Sequence, residues 1–222
     1  MFKQKSLITS YCLAAVVVLA LLGPLAQNGR GDFVLLGDEQ LTVYSYHHQG
    51  TLFDTSQAFI VSGGSVDWLF AYNFSTVNMS DGGTEKIYAY NSSTVNMSYG
   101  CVDEYLWAHD SSNVNISGGN VDYLGADDSS TVNISGGHMF GLGALNSSVV
   151  TFHGRNFRGS GGLILYGDSV LSTGTLSGEW FDGTQWWVTI GHLDPTATIR
   201  AIPEPATLLL LGLGAVMLRK RR

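Results

Sequence analysis

Residues Gly119–Ser135 read GNVDYLGADDSSTVNIS, and this stretch decides the fold. Within it Leu124, Ala126, Asp128, Ser130, Val132 and Ile134 alternate with Gly125, Asp127, Ser129, Thr131 and Asn133. A period of two belongs to a strand, not to a helix. The β-branched Thr-Val-Asn-Ile piece suits the strand, while Asp-Ser-Ser and Gly-Gly suit corners. The same text recurs at Gly64–Ser80 (GSVDWLFAYNFSTVNMS) and Gly100–Ser117 (GCVDEYLWAHDSSNVNIS), with degenerate copies at Gly83–Ser98 and Gly137–His153. Ala71, Ala89, Ala108, Ala126 and Ala144 are spaced by 18, 19, 18 and 18 residues. Val77, Val95, Val114, Val132 and Val150 keep that register, as do Asn73, Asn91, Asp110, Asp128 and Asn146. A fixed short period of strand plus turn is the pattern of a β-solenoid. The one extra residue falls between Val102 and Ala108, where a β-bulge absorbs it.

No coil buries its own face, so coils must stack at about 4.8 Å and equivalent residues form columns. The expected core columns are Leu69/Ile87/Leu106/Leu124/Leu142, the alanines, the valines, and Met79/Met97/Ile116/Ile134/Phe152. The Asn73-to-Asn146 column is expected to form an inward polar ladder at a corner. The predicted fold is all-β: a parallel β-helix, or β-solenoid, of about five 18-residue coils with β caps. An N-terminal signal helix and a C-terminal apolar helix flank it. The expected boundaries are 1–26 signal peptide, 27–58 N-terminal cap with a partial coil, 59–157 repeats, 158–201 C-terminal β cap and 202–222 sorting signal. LSTGTLSGEWFDGTQWW, ending at Trp187, reads as a β-hairpin pair, with Trp180, Phe181, Trp186 and Trp187 covering the last coil.

The two ends explain an odd composition. The chain has 222 residues, 45% hydrophobic and only 13% charged, with net charge −7. At the front, Lys3 and Lys5 precede the apolar run Leu13–Leu22 and the small, turn-prone Gly23–Ala26, a secretory signal with cleavage expected after Ala26. An uncleaved anchor is the alternative, but the run is short for a membrane span. At the back, Pro203-Glu204-Pro205 is followed by the apolar Ala206–Leu218 and then Arg219, Lys220, Arg221 and Arg222. Thirteen apolar residues make a helix of about 20 Å, enough to lodge in a membrane transiently. The cations hold the tail on the cytoplasmic side.

Between these ends, residues 27–202 keep five cations against 17 acids, a net −12. Such an acidic, Lys/Arg-poor chain excludes nucleic acid as a partner. Cys12 leaves with the signal, so Cys101 is the lone mature cysteine and reads as a small apolar residue.

The segment IPEPATLLLLGLGAVMLRKRR resembles the PEP-CTERM sorting signal, with Pro203, Glu204, Pro205 and Arg219–Arg222 in the motif positions. That resemblance implies export through signal peptidase and the general secretion machinery. It implies transient inner-membrane anchoring, then cleavage by an exosortase. It further implies release to the outer surface or extracellular matrix of an exopolysaccharide-making Gram-negative bacterium. The repeat text is similar to that of PEP-CTERM surface proteins and adhesin-like passenger domains, and no enzyme family comes with it.

Four outward features bear on chemistry. Asp67, Asp103 and Asp122 stack in one column, as carboxylates do in β-helix polysaccharide lyases and hydrolases. Catalysis also needs a basic or second acidic partner, and the repeats supply only Lys86, so a solvated acidic stripe is preferred. Gly-Gly-x-Val-Asp is similar to a calcium-binding nonapeptide, but the nine-residue recurrence fails at Thr131, leaving at most weak calcium binding at the Asp/Asn corners. The outer strand positions Thr76, Asn78, Thr94, Asn96, Asn113, Asn115, Thr131 and Asn133 make a flat hydroxyl and amide grid. It suits glycan or ordered ice, or simply self-satisfied Asn ladders, and the last is preferred. The six histidines, His47, His48, His109, His138, His153 and His192, show no metal-binding spacing.

The expected function is therefore a structural or adhesive role in exopolysaccharide, without catalysis, cofactor or metal. The alternatives are a polysaccharide-modifying β-helix enzyme, for which His153, Arg155 and Arg158 come closest to singular residues, and a non-catalytic glycan- or ice-binding solenoid.

Overall fold

An Asn or Asp at one corner and a Gly at the other turn the chain back on itself every 18 or so residues. The computed structural model describes residues 31–203. The first corner is a four-residue turn in which Ser75 N–H, for example, donates to Tyr72 O at 3.1 Å. Its second residue has positive φ in six successive coils, from Asp54 (57°) and Asn73 (60°) to Asp128 (55°) and Asn146 (50°), and Pro195 takes that place in the last turn. Asn and Asp tolerate this region better than other side chains, which accounts for the column. The second corner needs glycine: Gly82, Gly100, Gly119 and Gly137 all have φ between 79° and 96°.

The turns separate two faces of parallel strands. One face comprises β1 (Phe33–Leu35), β3 (Tyr46–Leu52), β5 (Ser65–Ala71), β7 (Gly83–Ala89) and β9 (Cys101–Ala108), then the second halves of β10 (Asn113–Ala126) and β11 (Thr131–Ala144), and the end of β16 (Gln185–Leu193). The other comprises β2 (Gln40–Val43), β4 (Gln57–Ile60), β6 (Thr76–Met79) and β8 (Thr94–Met97), the first halves of β10 and β11, the start of β12 (Val149–Ser160), and β17 (Thr198–Pro203). Ala71 pairs with Ala89, Ala89 with Ala108, Ala108 with Ala126 and Ala126 with Ala144. Val77, Val95, Val114, Val132 and Val150 pair in the same way. The bulge falls where expected: Thr84 pairs with Val102 but Lys86 with Tyr105, so Asp103 and Glu104 share one place in the ladder.

The core columns are those read from the sequence. Leu69, Ile87, Leu106, Leu124 and Leu142 are fully buried, and so are the alanines and valines. Met79, Met97, Ile116, Ile134 and Phe152 are at most 2% exposed. Each such aliphatic side chain stabilises the fold by roughly 1.5–3 kcal/mol.

The structure departs from the expectations in two ways. There are about seven turns rather than five. Parallel pairing already begins at Phe33 with Gly50, so much of the expected N-terminal cap is solenoid. At the other end β16 and β17 complete a further coil on β11 and β12. The second departure is the polar column. Asn73, Asn91, Asp110, Asp128 and Asn146 do not point inward; positive φ puts their side chains at the outer edge of the corner. The inward polar column is Ser56, Ser75, Ser93, Ser112, Ser130 and Ser148, all fully buried. Serine is small enough to fill the tight inner corner between the alanine and valine columns.

Residues 155–184 interrupt the last coil. β12 runs on into antiparallel pairing with β15 (Gly174–Glu179), and β15 forms a hairpin with β16. A smaller hairpin, β13 (Leu165–Tyr166) and β14 (Ser169–Val170), lies against β17. Trp186 stacks on Phe152 (5.0 Å between centroids) and on Trp180 (4.5 Å), closing the end of the core as expected. Phe181 and Trp187 stay exposed. The expected signal helix and C-terminal apolar helix lie outside the described residues. Among the described residues no helix is long and apolar enough to cross a membrane.

Candidate functional site

The hydroxyl and amide grid lies on the second face, at the alternate positions of the short strands. Thr76, Thr94, Asn113 and Thr131 form one row, and Asn78, Asn96, Asn115 and Asn133 another. The asparagines bond to one another: Asn96 Nδ2 donates to Asn78 Oδ1 (3.0 Å), Asn115 to Asn96 (3.0 Å) and Asn133 to Asn115 (3.1 Å). Asn96 and Asn115 thus each spend one donor and one acceptor within the ladder, Asn78 one acceptor and Asn133 one donor. Alongside runs a groove of about 390 Å³, from Phe59 to His153, whose other wall carries Ser80, Ser98, Ser117 and Ser135. The Ser98 and Ser117 hydroxyls lean on Met79 O and Met97 O, at 3.4 and 3.3 Å.

The first face carries an aromatic surface that the sequence reading missed. Phe53, Tyr72, Tyr90 and His109 stack in one column, with centroids 5.2, 5.0 and 4.9 Å apart and planes within 11° of parallel. Phe70 and Tyr88 stack beside it at 5.4 Å, and Trp107 follows them in register. Rings this close and this parallel cannot lie side by side in one plane, so they face each other along the solenoid axis. Their edges, not their faces, meet solvent. Where the aromatics end, glycine makes room: Trp107 leans over Gly125 and Tyr123 over Gly141 and Gly143. Burial pushes the Tyr90 and Tyr123 phenols above their ordinary range. The missed signal was the ring at alternate positions, one before and one after each of Ala71, Ala89 and Ala108.

The acidic column is dispersed. Asp67 accepts from the Tyr46 hydroxyl (2.6 Å) and contacts His48 Nδ1 (3.1 Å), and both bonds hold its carboxyl below the usual range. Asp103 and Asp122 are exposed. Lys86 is drawn away to Glu104 (3.0 Å) and lies over Trp68, 4.7 Å from the ring centre. Arg155 pairs with Glu179 of the hairpin, its Nε 3.1 Å from Oε1, and Asn156 binds the other carboxylate oxygen at 2.8 Å. These two bonds hold Glu179 below its ordinary range. His153 lies at the far end of the grid, and Arg158 in the antiparallel stretch of β12.

At the Asp/Asn corner, His109, Asp127 and Asp128 bring ligand atoms within 4.8 Å of one another. One oxygen of each carboxylate already accepts hydrogen bonds. Asp127 Oδ1 accepts from Asn146 Nδ2 and from Asp128 N (2.7 Å), and Asp128 Oδ2 accepts from Asp110 N (3.3 Å). Cys101, half-buried, has its thiol pushed up by burial and by Asp103.

The last described residues carry the address. Ile202 pairs with His153 and Pro203 with Gly154, so β17 ends at the exposed Pro203, beside Glu204 and Pro205. Residues 201–222 match the family model described as the PEP-CTERM protein-sorting motif. Comparison with curated proteins found no match, and comparison with solved structures found none. The motif marks the chain for export and for exosortase-dependent sorting to the surface. Pro203, Glu204 and Pro205, with Arg219, Lys220, Arg221 and Arg222, fall within it.

Proposed function

We propose that the mature chain is a structural, adhesive component of the exopolysaccharide around the cell that exports it, and that it performs no catalysis. The observation that carries this reading is the repetition along one face of polar groups that keep part of their hydrogen-bonding capacity free. The Asn78-to-Asn133 ladder and the adjoining serine row present the same chemistry at every coil. Weak contacts repeated on one rigid body add by avidity and need no single strong site. A reaction, in contrast, needs singular groups in one place. The nearest candidate, Arg155, is engaged by Glu179, which supports a role in fastening the hairpin.

The end of β17 fits processing. Cleavage near Pro203–Pro205 leaves every coil whole, because Ala201 is the last buried residue of the described chain. In this reading the apolar stretch and Arg219–Arg222 serve as a transient inner-membrane anchor, and the released chain stays in the matrix.

Fractionation tests this. In an exopolysaccharide-producing strain the protein is expected in the matrix, and in a strain unable to make the polymer it is expected free in the medium. Equal release from both strains overturns the reading. So does turnover of the polysaccharide, read as reducing ends or unsaturated products, that disappears in Arg155→Ala.

A further inference from the structure

A concavity larger than the ladder groove lies off the ladder face. It lies between the glycine corner and the tip of the β15–β16 hairpin, with a volume of about 840 Å³. Its floor is bare backbone. A Cβ at Gly82 would fall 2.3 Å from Gly64 O, and one at Gly137 would fall 2.6 Å from Gly119 O, so side chains are excluded there. Gly82, Gly100, Gly119 and Gly137 mark four successive coils, which at about 4.8 Å per step give a floor roughly 14 Å long. The overhanging wall is held by Trp180, whose Nε1–H donates to Gly137 O at 2.8 Å.

Two exposed aromatic rings line this cleft: Tyr99, 65% exposed, on the solenoid, and Phe181, 41% exposed, on the hairpin tip. Neither belongs to the stacked columns of the first face. The weakly positive C–H face of a pyranose ring suits the negative face of such an aromatic. Asp81 and Asp182 also line the cleft, and no Lys or Arg does. Each carboxylate accepts a local backbone N–H at Oδ1, Asp81 from Gly82 at 2.8 Å and Asp182 from Thr184 at 2.8 Å, which fixes both at the rim of the cleft. Bonds from Thr184 hold the Asp182 carboxyl below its ordinary range, so it stays charged. His138 lines the same cleft, and its buried Nδ1 has no hydrogen-bond partner among the described residues.

We propose that this cleft binds a short oligosaccharide segment bearing amino sugars, its rings against Tyr99 and Phe181 and its ammonium groups toward Asp81 and Asp182. The proposal rests on the matrix role proposed above and gives that role a located site. An acidic segment is disfavoured, because nothing in the cleft offsets its charge.

Calorimetry on the purified protein with oligomers of β-linked glucosamine, of N-acetylglucosamine and of galacturonic acid tests it. Glucosamine oligomers are expected to bind most tightly and galacturonate oligomers not at all. Tyr99→Ala combined with Phe181→Ala, both at exposed positions, is expected to weaken glucosamine binding by ~10-fold or more. Asp81→Asn with Asp182→Asn preserves both local backbone bonds and is expected to erase the preference for glucosamine over N-acetylglucosamine. Cys101 also lines the cleft, so glucosamine oligomer should slow its alkylation. The proposal is overturned by absent glucosamine binding, by equal binding of galacturonate, by an unaffected aromatic variant, or by unchanged Cys101 alkylation. Matrix retention without glucosamine binding removes this site and leaves the matrix role. Glucosamine binding without matrix retention does the reverse.

Discussion

Asn115 donates its Nδ2–H to Asn96 Oδ1 at 3.0 Å and accepts in turn from Asn133 at 3.1 Å. Asn115→Ala therefore breaks two rungs of a continuous amide ladder. With partly solvated hydrogen bonds the expected cost is about 1–2 kcal/mol, or roughly 3–6 °C in Tm for a chain of this size. Scanning calorimetry reads this directly, and an unchanged Tm would show that the ladder adds nothing to stability.

The inner serine column gives the opposite expectation. The Ser75, Ser93 and Ser112 hydroxyls are buried with no hydrogen-bond partner among the described residues. Ser112→Ala removes a desolvated hydroxyl and breaks no bond, so stability should be unchanged or higher by up to about 1 kcal/mol. A loss of more than about 1 kcal/mol in chemical denaturation would mean that the Ser112 hydroxyl is satisfied in solution.

Two glycines of unlike surroundings make a matched pair. At Gly136 a Cβ would lie 2.1 Å from Ser117 O, a backbone atom that cannot move without breaking the coil stack. At Gly191 nothing lies within 4 Å, and φ is outside the left-handed region. Gly136→Ala is expected to cost about 3 kcal/mol or more, while Gly191→Ala is expected to be neutral or slightly stabilising. Similar Tm values for the two variants would contradict the close approach at the glycine corner.

The His48–Asp67 pair makes stability depend on pH near neutrality. The Asp67 hydrogen bond raises the His48 titration above its ordinary 6.5. A raised histidine contributes stability that is present below 6.5 and lost as pH rises through the raised value. The Tyr46 hydroxyl and His48 lower Asp67, whose contribution is lost only as pH falls below the usual carboxylate range. The pair thus contributes most between those limits. An NMR titration should place the His48 midpoint above 6.5 in the native protein and lower in Asp67→Asn. The same midpoint in both would remove the pairing.

The sequence made the fold legible because each column residue answers to one physical demand. Val132 and Leu124 recur because they fill the same slot in successive coils, and the 19-residue step betrayed the bulge at Asp103 and Glu104. The Asp128 column was visible but assigned to the wrong cause. Simple alternation carries it inward with Val132, whereas positive φ at that residue breaks the alternation. Ser130, next in the alternation, is the true inner residue. The coils beyond the recognisable repeat were hidden because Leu52 and Leu193 occupy alanine positions and residues 155–184 interrupt the last turn. Of the candidate surfaces, the Asn grid was legible as repeated text. The cleft by Phe181 was not, because it joins residues about 80 positions apart across an insertion that no repeat marks.

The central claim is that a sorted, processed solenoid reaches the surface intact. Its most direct test is the intact mass of the chain recovered from the cell surface and surrounding matrix. A mass ending near Pro203–Pro205, without Arg219–Arg222, is the expected result. A chain that keeps its C-terminal arginines and stays with the cell membrane would contradict the account.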